Sequence, residues 1–293
     1  MASRAVLITG CSSGIGHATA AKLLADGWTV YATARRPEAI ADLADLGAKT
    51  LALDVTDDES MSAAVGAVTE AEGAVGVLIN NAGYSQSGAV ETVPLDRVRR
   101  QFETNVFGLL RMCQLALPGM RDQGWGKVVN LGSMGGRLTF PGGGIYHSTK
   151  YAVEAISDSL RFEVRGFGVD VILIEPGLIV TGFGDAAAGS VSDASGGAHE
   201  AGAEPGSAGD GPYGHFNRHV AKLTADAYKG PMVKLGGGPE KVADVIAKAL
   251  VANHPKARYP VTASAHLMIN QRRVTPDRVW DLMMRAQFPT PKR

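Results

Sequence analysis

Short apolar runs alternate with longer amphipathic ones along the chain. Ala5–Ile8 is apolar at every position and runs into glycines, the pattern of a strand buried on both faces. Residues 14–26 then carry Ile15, Ala18, Ala21, Leu23 and Leu24 at helical spacing. The alternation repeats, with strands predicted at 29–33, 50–53, 75–79, 127–131 and 169–174. Helices are predicted at 37–46, 57–72, 95–121 and 145–166. Pro37 suits a first helical turn, and the acidic start of 57–72 suits the helix dipole. Strands apolar on both faces, separated by helices, imply a parallel sheet covered on both sides.

The regularity is expected to fail after Phe183. Residues 189–211 are rich in Gly, Ala, Ser and acid, bury little apolar surface, and are expected to be mobile. Order is expected again near Tyr213, with a helix from Pro239 to about Val251 and a seventh strand at 257–261. A short closing helix is expected around Val274, Val279, Trp280, Leu282 and Met283. The expectation is one domain over 1–293, with a flexible insertion at about 184–212.

Charge and composition narrow the class. Lys and Arg total 29 and Asp and Glu total 29, so no net charge draws the chain to nucleic acid or an anionic membrane. No apolar run is long enough for a transmembrane helix, and the run after Arg4 is too short for a signal-peptide core. Two separated cysteines, Cys11 and Cys113, make no disulfide framework and fit a reducing compartment. A cytoplasmic small-molecule enzyme is the expectation. Glycine, at 37 of 293 residues, exceeds the usual ~7% and calls for a cause.

Part of that cause lies at Thr9-Gly10-Cys11-Ser12-Ser13-Gly14-Ile15-Gly16. The run follows a predicted strand and opens a predicted helix. There glycines let backbone approach a pyrophosphate, and the helix N-terminus offers free N–H groups and a positive dipole end. The spacing is GxxxGxG rather than GxGxxG, and a tight βα turn alone would also use glycines. Gly10, Ser12, Ser13, Gly14, Ile15 and Gly16 are the candidate cofactor residues. At the end of the second strand stand Arg35 and Arg36, with no acid for a ribose 2′-hydroxyl. Two guanidinium groups suit a 2′-phosphate, so NADP(H) is favoured over NAD(H). Together these features give an α/β fold of Rossmann type, a doubly wound parallel sheet of about seven strands.

Tyr146 and Lys150 are four apart in a predicted helix and share a face. A nearby ammonium favours the phenolate and lowers a phenol's pKa from its usual ~10. Ser133 follows the neighbouring strand and can hydrogen-bond a carbonyl.

With these residues in order, the chain resembles a short-chain dehydrogenase/reductase over about residues 4–183. Thr9–Gly16 is similar to the family's TGxxxGxG turn. Asp54-Val55 resembles its adenine contact after the third strand, and Asn80-Asn81-Ala82-Gly83 its NNAG motif. Asn105, Ser133, Tyr146 and Lys150 resemble its Asn-Ser-Tyr-Lys tetrad. Pro176-Gly177, through Ile179 to Thr181, resembles the PGxxxT segment at the nicotinamide end. The resemblance implies Tyr146 as general acid or base and Lys150 as the group that lowers its pKa and holds the ribose. It implies Ser133 as the carbonyl's partner, and Asn105 as the anchor of a water linking Lys150 to solvent. Asn81, Ala82 and Gly83 would join the cofactor site.

Met134, Leu138, Phe140, Ile145, Leu178, Ile179 and Phe183 are the substrate candidates that the family position suggests. They are apolar, and only Arg137 among their neighbours could clamp a carboxylate, which suggests a neutral or lipophilic ketone or secondary alcohol. The glycine turn and the Tyr31–Arg36 strand end resemble the hydroxysteroid and retinol dehydrogenase branch. The resemblance also implies a homodimer or homotetramer through helices near 100–120 and 150–165. No metal ligand set is expected. A catalytically silent dinucleotide-binding protein is the alternative, as is an epimerase or dehydratase on the same scaffold.

Overall fold

The computed structural model describes residues 2–195, 211–227 and 234–291. Its centre is one seven-stranded sheet, parallel at every pairing, in the order β3-β2-β1-β4-β5-β6-β7. The strands are β1 Val6–Ile8, β2 Val30–Ala34, β3 Lys49–Ala52, β4 Val77–Asn80, β5 Gly126–Leu131, β6 Val169–Pro176 and β7 Arg258–Val261. The helices are α1 Gly14–Ala25, α2 Ala41–Asp45, α3 Asp58–Glu72, α4 Leu95–Phe102, α5 Gly108–Asp122 and α6 Gly144–Glu163, then α7 Phe183–Ser195, α8 Gly214–Ala227, α9 Pro239–Val251, α10 Ala263–Val274 and α11 Asp277–Gln287.

Successive side chains of a strand leave opposite faces of the sheet, so an all-apolar strand feeds two cores. Val6, Ile8, Ile79, Val129, Ile172 and Ile174 pack under α1 and α9. Leu7, Leu78, Val128, Val171 and Leu173 pack on the other side, with Met112 and Ala116 of α5 and Val153 of α6. This is the doubly wound arrangement that the sequence implied. Connections leave β1 and β4 in opposite directions across the sheet. Loops therefore splay apart beyond the carboxyl ends of these two strands, and a crevice opens there.

Four expectations change. The helix expected at 95–121 is two helices joined by a π-helical turn at Glu103–Phe107. The helix expected at 37–46 opens as a 3-10 turn, Pro37–Ile40, before α2. Regularity does not end at Phe183, because α7 begins there. Alanines favour helix, and Ala187 and Val191, four apart, are both buried and give α7 an inner face. Residues 196–210, most of the expected insertion, lie outside the described residues. The closing segment is two helices, broken at Thr275-Pro276, because a residue before proline leaves the helical region while proline itself starts a helix well.

Candidate functional site

The glycine turn sits between β1 and α1 at the crevice. Gly10 and Gly14 adopt positive φ, 73° and 61°, which L side chains rarely tolerate. A Cβ on Gly10 would lie 3.0 Å from Ala82 Cα, and one on Gly16 2.4 Å from both Asn81 Nδ2 and Gly10 O. The turn is locked to the loop after β4. Thr9 Oγ1 accepts from Asn81 N and Ala82 N, each at 3.0 Å, and Asn81 Nδ2 donates to Thr9 O and Gly10 O, each at 2.9 Å. Ser13 precedes α1 without capping it, and the first turn of α1 carries no acid. Its N–H groups stay available to an anion. The compact glycine cradle and this bare helix end fit a dinucleotide's pyrophosphate.

The crevice is a continuous cleft of about 1950 Å³. Gly10, Ser12, Ser13, Gly14, Ile15, Arg35, Asp54, Val55, Asn81, Ala82 and Gly83 line one stretch of it. Gly16 does not, since it packs beneath the turn. Arg36 is exposed beside Arg35 but outside the lining. Asp54 is held by Thr56, whose N and Oγ1 donate to Oδ1 at 2.9 and 2.7 Å. Cys11 is buried, its thiol pushed up to about 12 by burial, so it is no reactive thiolate.

Ser133, Tyr146 and Lys150 line the next stretch, with Pro176, Gly177, Ile179 and Thr181. Lys150 Nζ lies 5.8 Å from the Tyr146 ring centroid and donates to Leu131 O at 2.7 Å. Burial lowers its pKa to about 8. Ser133 stands two residues beyond Leu131 and caps a 3-10 turn, Met134–Gly136, by accepting from Gly135 N at 3.0 Å. Asn105 lies in the π turn. Its Nδ2 donates to Tyr84 O at 2.9 Å and to Thr149 Oγ1 at 3.1 Å, and its Oδ1 accepts from Tyr84 N at 3.1 Å. Both amide N–H groups are thus engaged away from Lys150.

Of the substrate candidates, Met134, Phe140, Leu178, Ile179 and Phe183 line the cleft. The Phe183 ring stands 5.6 Å from that of Tyr146. Leu138 does not reach the cleft. It is fully buried with Ala265, Ile269, Trp280 and Met284, because a residue of this turn must close the core over α10 and α11. Ile145 also lies outside the lining. Arg137 is no carboxylate clamp, since its Nη1 pairs with Glu175 at 3.1 Å.

Several residues in and around the cleft were not legible in the sequence. His147, buried next to Tyr146, has Nδ1 2.9 Å from Gly135 O, and burial lowers its pKa. Gln86 and Ser87 tie the loop after β4 to α7: Gln86 Nε2 donates to Ser190 O at 3.0 Å, and Ser87 N donates to Ser190 Oγ at 2.9 Å. Thr262, at φ 85°, and Ser264 brace the turn after β6. A Cβ on Gly177 would lie 2.4 Å from Ser264 Oγ, and Leu178 N donates to that oxygen at 3.1 Å. Met268 and Phe288 bring the two last helices to the cleft. No local motif signals these contacts; they depend on elements far apart in sequence. Among the described residues no cluster of His, Cys, Asp or Glu could hold a metal ion. None of their helices is long and apolar enough to cross a membrane.

A doubly wound parallel sheet with a glycine turn at its switch point defines the Rossmann class of α/β proteins. Residues 4–189 match the family model described as short chain dehydrogenase. The uncharacterized oxidoreductase YusZ of Bacillus subtilis is 32% identical over 297 residues, covering 98% of this chain and 99% of that protein. An NADPH-dependent 3-dehydrocapnine reductase of Ornithobacterium rhinotracheale is 34% identical over 287 residues, covering 95% of each. A crystal structure of a short-chain dehydrogenase from Streptomyces avermitilis superposes with a TM-score of 0.76 at 33% identity, over 96% of this chain and 94% of that one. The chain belongs to the short-chain dehydrogenase/reductase family and is an oxidoreductase of alcohol and ketone groups.

Proposed function

We propose that the protein interconverts a neutral, lipophilic ketone and its secondary alcohol with NADP(H), using Tyr146 as the general acid or base. The observation that carries this reading is the placement of Lys150. Its buried ammonium stands 5.8 Å from the Tyr146 ring centroid while its Nζ is fixed to Leu131 O, beside Ser133. When bound, the nicotinamide supplies or takes the hydride. Tyr146 gives its phenolic proton to the carbonyl oxygen in reduction and takes it back in oxidation. Lys150 stabilises the phenolate and so brings the phenol's pKa toward neutrality. Ser133 donates to the same carbonyl oxygen and orients it. Asn105 contributes position, holding Tyr84 and Thr149; a proton path from Lys150 to solvent would not use its amide N–H groups.

Arg35 and Arg36 support the choice of NADP(H), as does the NADPH dependence named for the Ornithobacterium relative. The apolar lining at Met134, Phe140, Leu178 and Phe183 supports a lipophilic substrate. We read α7, which lines the cleft at Phe183, Ala186, Ala187 and Ser190, as part of a lid over the substrate. Two free, buried cysteines support a cytoplasmic, reducing setting. Exposed Phe107, Tyr151 and Phe162, on or beside α5 and α6, support self-association as a dimer or tetramer.

The test is NADPH oxidation with a ketone panel, followed by absorbance. Wild-type turnover with loss of at least about a thousandfold in Tyr146→Phe is the expected result. Nucleotide binding without turnover of any carbonyl compound would favour the silent binding protein instead. Full activity in Tyr146→Phe would remove the mechanism.

A further inference from the structure

The cleft does not end at Tyr146. It continues along a seam between two small apolar clusters. One gathers Leu138, Ala265, Ile269, Trp280 and Met284, with Phe140 and Met268 packed against it. The other gathers Ala89, Val191, Phe216 and Val220 around α7 and α8. Phe288 packs against both and closes the seam. That closure is fastened from α8, where His219 Nε2 lies 2.9 Å from Gln287 O and the His219 ring stands edge-on to Phe288 at 6.5 Å.

The apolar walls that face the cleft are Phe140, Val220, Leu223, Met268 and Phe288, with Thr224 and Gln287 beside them. No Lys or Arg joins this stretch among the described residues, and its one carboxylate, Asp226, is exposed. The whole cleft, at about 1950 Å³, is roughly twice the ~1,000 Å³ upper range of an ordinary ligand site. A dinucleotide accounts for the stretch from Arg35 to Thr181. The seam is left over, and it is a slot bounded by two separately packed walls. Met268 and Leu223, half-buried at its edge, have rotatable side chains that can close around a thin guest.

We propose that this seam is a subsite for an extended apolar chain joined to the reacting carbonyl. The substrate class is then the long-chain alkyl ketone with its secondary alcohol, rather than a compact ring system. The proposal rests on the oxidoreductase reading of the same site. A ketone seated between Ser133 and Tyr146 has one substituent directed past Phe183 into the seam, where every methylene leaves water for apolar surface. The walls of this stretch are mostly apolar, so they reward an alkyl chain more than a ring hydroxyl.

The experiment measures kcat/KM for NADPH-dependent reduction of 2-butanone, 2-hexanone and 2-decanone, with cyclohexanone and a 3-ketosteroid as compact comparators. Each buried methylene is expected to raise kcat/KM about fourfold until the seam is filled. That gives at least about a hundredfold from 2-butanone to 2-decanone. Leu223→Asp and Met268→Asp, both at half-buried positions, are expected to cut the 2-decanone to 2-butanone ratio by more than about tenfold. Thermal melting reports whether each variant folds, and either folded variant suffices. A flat series, a preference for the steroid, or an unchanged ratio in a folded variant would overturn the subsite while leaving the oxidoreductase reading intact. Failure of every carbonyl compound would remove both.

Discussion

His147 and Ser133 hold one residue from two sides. Gly135 donates its N–H to Ser133 Oγ at 3.0 Å, and its carbonyl accepts from His147 Nδ1 at 2.9 Å. A carbonyl partner fixes the proton on Nδ1, and burial keeps the ring neutral by lowering its pKa. No side chain fits at Gly135, where a Cβ would lie 2.5 Å from His147 Nδ1. His147→Phe keeps a ring but loses the donor, and kcat should fall about tenfold with nucleotide affinity kept. Asn at 147 can place an amide N–H where Nδ1 stands and should restore most of the loss. Steady-state kinetics with fluorescence titration of NADPH checks both.

Lys150 makes ligand-free stability depend on alkaline pH. Its folded pKa, about 8, lies below the ~10.4 of an exposed lysine. Between those values the unfolded chain binds the extra proton, so stability rises with pH across that window. Urea unfolding at pH 7 and 9.5 should show the wild type gaining about 2 kcal/mol relative to Lys150→Met. A parallel response of the two proteins would show that the ammonium is not desolvated.

The opposite sign holds at Glu154. Burial and the neighbouring Glu175 carboxylate raise its pKa to about 7, despite Arg258 Nε at 3.0 Å. The folded state then binds more protons than the unfolded one between about pH 4.3 and 7, and stability falls as pH rises through that range. Glu154→Gln should flatten that fall and leave the protein as stable as the wild type, or more so, at pH 8. Denaturant midpoints at pH 5, 6.5 and 8 provide the check.

Replacing Arg35 and Arg36 together by Ala should weaken NADPH binding by at least about tenfold more than NADH binding. Equal losses in the two titrations would show that these guanidiniums read no phosphate. Gly16→Ala should go further and abolish binding of both nucleotides, because its Cβ would meet Gly10 O and Asn81 Nδ2 at 2.4 Å.

The sheet was legible because parallel strands are apolar on both faces, as at Val77–Asn80 and Val169–Ile174. The glycine turn was legible because it is contiguous; helical spacing put Tyr146 and Lys150 on one face, but only the ordered motifs resembling the family singled them out. Leu138 and Phe140 look alike in sequence, yet only packing against α10 and α11 decides which one faces the cleft. The helix at Phe183–Ser195 was hidden by small residues, since its apolar face is only as wide as Ala187 and Val191. His147 carried no local signal, because its partner is a backbone carbonyl twelve positions away.

The π turn at Glu103–Phe107 has a consequence for the helix that contains it. Five residues spent where four would suffice shift the angular phase by about 100°, one residue's share of a 3.6-residue turn. Arg97 and Arg100 of α4 therefore border the cleft, while Met112 and Ala116 of α5 enter the core. The surplus residue works as a gear between the two halves. Deleting one of the five would let an ordinary α turn cover the same rotation, leaving both faces in place while removing the bulge that lets the Asn105 amide reach Tyr84 and Thr149.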